Sequence, residues 1–167
     1  TLAGNGTAGW QDGTGSAGTM LNGPTSVSLN AATGLLYVAD RVNSVVRMIT
    51  PGGVVTTVGG TAGVTAPLAD GSWPSALNFP TGLTVDRLGA VWISDTGSFR
   101  VRRLGNNTLQ PGLASSLVSL AGSTNAFANN AGRAAAFGSV RGLALYNGSV
   151  FVVDSSFNRV RALTCGL

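Results

Sequence analysis

The sequence contains no His, no Lys and no Glu, and its single Cys stands two residues from the C-terminus. Each absence removes a class of chemistry. Without those three residue types the chain has no imidazole base or metal ligand, no Schiff-base amine, and Asp as its only acidic side chain. One Cys excludes an intrachain disulfide, so Cys165 either pairs with sequence outside this chain or fills a small apolar space. Charge is also scarce: charged residues make up 10% of the chain, against roughly 25% in an ordinary soluble domain. No apolar run reaches the roughly 18 to 20 residues that a membrane-spanning helix needs. The N-terminus carries no signal-peptide pattern, which a processed or excised chain would lack equally. Lys and Glu are the favoured residues of solvated helices. Their loss, set beside 25 Gly and many Val, Thr and Ser, points to strands and turns. The expected class is all-β.

All ten basic residues are Arg and all six acids are Asp, giving a net charge of +4 over 167 residues. That surplus is spread out, with no basic tail and no run of like charge, so solvated or internally paired arginines are the expectation. The charges that do occur are patterned. "LYVADRVNSVVRMI" (36–49) is followed by "VWISDTGSFRVRRL" (91–104) and "VFVVDSSFNRVRAL" (150–163), each with Asp and Arg seven residues apart: Asp40 and Arg47, Asp95 and Arg102, Asp154 and Arg161.

Aligned on the Asp, three copies emerge at a period of 55 and then 59 residues. Each opens on a strand ("PTSVSL", "PTGLTV", "VRGLAL"), turns through Gly, and runs into the strand that ends in Asp. A short polar loop and the Arg strand follow, and the first two copies then have a fourth strand, "VVTTVGG" and "LVSLAGS". The strands are apolar at nearly every position, so both faces of each sheet are covered. Repeated four-stranded antiparallel sheets buried on both faces are the blades of a β-propeller. The expected blades are 24–60, 80–123 and an incomplete 140–167, with Gly/Ala/Ser-rich connectors at 5–23, 61–79 and 124–139 and residues 1–4 as the outer strand of a preceding or partner blade.

In an antiparallel pair, an Asp closing one strand and an Arg two positions into the next lie diagonally on one face. The three pairs are therefore read as register pins rather than as a metal-binding ring, because each carboxylate arrives with its own cation. The remaining acids Asp12, Asp70 and Asp86 fall in turns or connectors and are assigned turn or capping roles.

"FPTGLTVDRLGAVWISDTGSFRVRRL" (79–104) resembles the NHL repeat, with its Pro-x-Gly-hydrophobic opening, Asp-terminated strand and Arg strand. The third copy departs from it with Val140 in place of Pro, and the first with a loop that lacks Gly. The resemblance implies a propeller of about six blades that serves as a binding platform; some relatives bind RNA, and some are lyases with metal-bound His. The lyase chemistry has no ligands here. Three copies fall short of the four to eight blades of a closed ring. The partners expected are therefore the remaining blades in cis, the favoured case, or a second copy in trans that closes the ring head to tail. Neither cofactor nor enzymatic activity is expected, and the reading is a non-catalytic scaffold or protein-interaction module. Three sequons, at Asn5, Asn106 and Asn147, can carry glycans and favour an extracellular or cell-surface setting. The alternative is an intracellular RNA-binding propeller, whose contacts would come from Phe99, Arg100, Arg103, Phe157 and Arg159.

Overall fold

The structure, a computed structural model, describes residues 1–65, 70–72, 76–105, 116–126, 128–129 and 134–164. Asn106 and Cys165 lie outside the described residues. Thirteen strands form three antiparallel sheets. The first contains β1 (Gly13–Thr14), β2 (Pro24–Asn30), β3 (Leu35–Asp40), β4 (Val45–Ile49) and β5 (Val54–Gly60), in the order β1-β5-β4-β3-β2. The second repeats that order as β6-β10-β9-β8-β7, built from β6 (Gly71–Ser72), β7 (Pro80–Val85), β8 (Val91–Asp95), β9 (Arg100–Leu104) and β10 (Ser116–Ala121). The third contains β11 (Val140–Tyr146), β12 (Ser149–Asp154) and β13 (Arg159–Thr164). These are propeller blades, and among the described residues they do not close a ring. No helix of the described residues is long and apolar enough to cross a membrane.

The sheets stack face to face with β2, β7 and β11 innermost. Tyr37, Ala39, Val46 and Met48 of the first sheet pack on Leu83, Val91, Ile93, Leu104 and Leu117 of the second. Trp92, Val101 and Ala121 on the far face of the second sheet pack on Phe137, Val140, Val150 and Val152. Strand β8 is thus largely apolar on both faces because it is buried on both. The inner edge of β7 is sealed by side chains of β2. The hydroxyls of Ser26 and Ser28 accept hydrogen bonds from the Leu83 and Val85 amides at 3.2 and 3.3 Å, so donors that an edge strand would leave open are satisfied.

On the other side of β7, the backbone of β11 comes so close that a Cβ at Gly82 would run into the Arg141 carbonyl oxygen. Gly82→Ala must push the two inner strands apart, an overpacking cost of about 1–3 kcal/mol. A thermal melt of G82A is expected to show a clearly lowered midpoint; an unchanged one would contradict this packing.

Two features differ from the sequence reading. Residues 1–4 form no strand; Ala3 instead packs over Val38, Ile49 and Val55 on the outer face of the first sheet. The connectors, for their part, are not mere spacers. Gly13–Thr14 and Gly71–Ser72 pair with β5 and β10 and add a short fifth strand to each of the first two sheets.

Candidate functional site

The Asp/Arg pairs sit at the end of the blades where the connectors enter the inner strands. Arg47 lies opposite Val38, two positions along from Asp40, and the same diagonal recurs through Ile93 opposite Arg102 and Val152 opposite Arg161. Arg47 Nη1 meets Asp40 Oδ2 at 2.9 Å with both side chains fully buried. Its remaining donors go to Asp12 at 2.8 Å and to the carbonyls of Met20 and Gln11 at 3.0 and 2.7 Å. Arg102 is held alike, by Asp95 at 3.3 Å, Asp70 at 3.2 Å and the Ala76 carbonyl at 2.6 Å. Arg161 meets Asp154 at 3.5 Å and the carbonyls of Ala136 and Ala128 at 2.5 and 2.6 Å, and its guanidinium lies 4.2 Å above the Phe137 ring.

Each carboxylate also accepts from the loop that leads into the inner strand: Asp40 from the Asn22 amide at 2.8 Å, Asp95 from Asn78 at 2.6 Å, Asp154 from Gly138 and Ser139 at 3.1 Å. One node therefore ties together the second strand, the third strand and the incoming loop. Burial pushes the Asp95 carboxyl up from the usual carboxylate range, against hydrogen bonds from Ser98 and Asn78 and the charge of Arg102. A carboxyl raised in the folded state favours folding below its unfolded pKa, and that contribution is lost as pH rises through the folded value.

Asp12 and Asp70 do more than the turn role expected of them. Both reach a buried Arg, and both also satisfy the outer strand where its ladder skips a residue: Asp12 accepts the Thr57 amide and Asp70 the Ser119 amide, each at 2.9 Å. Their recurrence before Gly as "DG" was the available signal. Asp86 does hold the β7–β8 turn through the Leu88 and Ala90 amides, both at 2.9 Å, and it also accepts the Trp92 indole N–H at 3.0 Å.

The five residues named for RNA contact are spread over two blades. Arg100 and Arg103 point to opposite faces of β9, since side chains alternate along a strand. Arg103 lies over Trp92 at 5.9 Å and 3.8 Å from Asp86. Phe99 occupies a left-handed turn after β8, while Phe157 and Arg159 belong to the third sheet. Of the sequons, Asn5 and Asn147 are exposed in turns. Among the described residues no three of His, Cys, Asp or Glu gather where a metal could bind.

A concavity that the sequence did not announce opens between the inner strands. It has a volume of about 590 Å³ and is lined by Thr25, Ser26 and Arg41 of the first blade, by β7 from Thr81 to Leu83, and by β11 from Arg141 to Leu143. These are residues of the inner strands plus the residue that follows Asp40, so the concavity is a mouth at the end of the blades where the connectors enter.

The fold is that of a propeller segment. The family model of the NHL repeat matches residues 77–104. No curated protein matches the chain by sequence. Among solved structures the chain is similar to a protein of unknown function from Bacteroides thetaiotaomicron, at 22% identity and TM-score 0.69, covering 83% of this chain and 34% of the other. It is also similar to an auxiliary nutrient binding protein from the same organism, at 16% identity and TM-score 0.63, covering 81% and 36%. A catalytically inactive virginiamycin B lyase from Staphylococcus aureus with quinupristin follows, at 14% identity and TM-score 0.57, covering 86% and 38%. Such identities establish the fold alone, and the chain spans about a third of the length of these structures.

Proposed function

We propose that this chain is a non-catalytic interaction module, a run of blades whose third sheet offers a face shaped for another blade. The observation that carries the proposal is one position met in three environments. The aromatic three residues before the Asp is Tyr37, Trp92 and Phe151; the first two are 4% and 1% exposed beneath the next sheet, and Phe151 is 36% exposed. The residue before the Arg behaves in the same way: Val46 and Val101 are fully buried, and Val160 is 70% exposed. With Val153 beside them, these side chains form an apolar face whose counterparts elsewhere in the chain are always covered.

What covers them elsewhere is an aliphatic surface, supplied in the second sheet by Leu83, Val85, Val91 and Ile93. The first sheet carries Val27, Leu29, Leu36 and Val38 at the same positions; Val27 is 62% and Leu29 54% exposed, while Val38 is already buried beneath Ala3. In the isolated chain the occupant of the free face is therefore the first sheet of a second copy; in a longer chain the same face takes a blade in cis. Catalysis is set aside because the chain has no His, Lys or Glu and each of its six Asp pairs with an Arg.

Sedimentation equilibrium of the 167-residue chain is expected to show reversible self-association that Phe151→Asp abolishes without changing the circular dichroism spectrum. A wild-type chain that stays monomeric at high concentration would overturn this reading. We infer further that the natural protein is extracellular or on the cell surface, supported by exposed sequons at Asn5 and Asn147. Enzymatic removal of N-glycans should lower the mass of the naturally expressed protein; an unchanged mass counts against that setting.

A further inference from the structure

The charge ledger leaves something over. Every Asp is spent on an Arg: Asp12 and Asp40 on Arg47, Asp70 and Asp95 on Arg102, Asp86 on Arg103, Asp154 on Arg161. Among the described residues no ion pair reaches Arg41 or Arg141, and these two, from different blades, line the same mouth, which has no acid among its lining residues. Two arginines lining one concavity without a counter-charge create a positive field, and an oxyanion entering the mouth would neutralise it. Arg141 gives its Nε to the Ser155 hydroxyl at 3.4 Å, so its two Nη groups and the planar fork of Arg41 are what can bind such an oxyanion.

A second observation concerns how Arg41 is held. Its guanidinium lies 5.2 Å from the centre of the Phe79 ring. Phe79 holds this place in the left-handed region at φ +48°, a conformation that is costly for a bulky residue. The equivalent residue of the first repeat, just before its Pro, is Gly23 at φ +59°, where the same turn is made without strain. Backbone strain is retained where it serves a site, and what this strained residue provides is a platform for Arg41. The floor of the mouth fits the same use, because Gly142 is exposed there with no side chain over its backbone and Thr25 is exposed at the rim. The Thr81 hydroxyl is already engaged, with the Thr96 hydroxyl at 2.6 Å and the Val140 carbonyl at 3.3 Å, so recognition falls to the arginines.

We propose that this mouth is a binding site for a small oxyanion-bearing ligand, a carboxylate or a phosphate, held between Arg41 and Arg141, with Phe79 as the positioning residue for Arg41. The site lies wholly within the three described sheets. It therefore does not depend on what covers the free face of the third, and Phe151→Asp should leave it intact.

Citrate, pyrophosphate and glucose would be titrated separately into the amide-labelled chain, following the Gly82 and Gly142 amide signals. The expected result is saturable shifts with citrate or pyrophosphate, none with glucose, and an at least tenfold loss of affinity in Arg41→Gln/Arg141→Gln. Whichever of the two anions binds tighter tells carboxylate from phosphate. Phe79→Gly should weaken binding while leaving the melting temperature equal or higher, a combination that a purely structural role for the ring would not produce. The proposal is overturned by shifts that survive unchanged in the double variant, by the absence of saturation with either anion, or by tighter binding of a short single-stranded RNA, which would assign the mouth to a polymer. Unchanged affinity in F79G would remove Phe79 from the site.

Discussion

Arg47→Leu is expected to destabilise the chain by about 3–5 kcal/mol, enough to unfold many domains of this size at ambient temperature. The size of the effect comes from what is left behind. Asp40 is fully buried, and without Arg47 its charge keeps only neutral donors, the Asn22 amide and the Asn43 side chain, each at 2.8 Å. The carbonyls of Met20 and Gln11 lose their guanidinium donors in the same step and keep only each other's amides, at 3.3 and 3.2 Å, which loosens the connector that covers the first sheet. The cost is therefore an uncompensated buried charge plus two lost charge-assisted hydrogen bonds, not the net worth of one ion pair. Asp12, at 38% side-chain exposure, contributes less, and Asp12→Asn is expected to cost about 1 kcal/mol or less because water screens that arm. Adding Asp40→Asn to Arg47→Leu should recover part of the loss, since the stranded charge is then gone. Urea unfolding of the three variants tests the ordering. An Arg47→Leu cost near 1 kcal/mol would mean that the node is hydrated and that its account here is wrong.

The parts of this fold that could be read from the sequence are those written in short-range spacing. Asp and Arg seven residues apart, on strands joined by a tight loop, can only meet diagonally, and three repetitions at nearly one period fix the blade. The partnership of Asp12 with Arg47 and of Asp70 with Arg102 spans 35 and 32 residues, and "DG" is so common a turn signal that it hid the second use. The two-residue strands β1 and β6 were beyond reach for a related reason, since two residues carry no alternation to detect. Adjacency misled in another way. "SFRVRR" joins Phe to Arg along the chain, but alternation sends Arg100 and Arg103 to opposite faces of β9. The mouth arginines carry no such cue, being 100 residues apart at non-equivalent places in their repeats. Only the stacking of the inner strands brings them to one cavity. The single trace of that site in the sequence is "NFP" standing where the first repeat has "NGP", an aromatic in a turn made for glycine.

Trp92→Ala is the other large effect expected, at about 3–5 kcal/mol, and its counterpart Phe151→Ala should cost far less in the monomer. The two residues hold one position of the repeat, so the comparison isolates what covers them. Trp92 is 1% exposed between the second and third sheets, surrounded by Val101, Phe137, Val140 and Val152, with its indole N–H given to Asp86. Truncation opens a cavity that the neighbouring strands, pinned by their own Asp/Arg nodes, cannot collapse to fill, and it leaves Asp86 Oδ2 with Arg103 at 3.8 Å in place of a direct indole donor. Phe151 projects from the far side of the third sheet with 36% of its surface in water, and Ala there leaves a shallow dent. On the face-docking proposal the contrast should vanish with concentration. As copies associate, Phe151 takes on the environment of Trp92, and the cost of its truncation should rise with protein concentration while that of Trp92→Ala stays constant. Chemical unfolding of both variants over a wide range of protein concentration reads this directly. A Phe151→Ala cost that is equally small at every concentration would leave that face without a partner in the isolated chain. A cost as large as that of Trp92→Ala even at the lowest concentration would mean that the aromatic supports its own sheet, and the equivalence of the three positions would have to be abandoned.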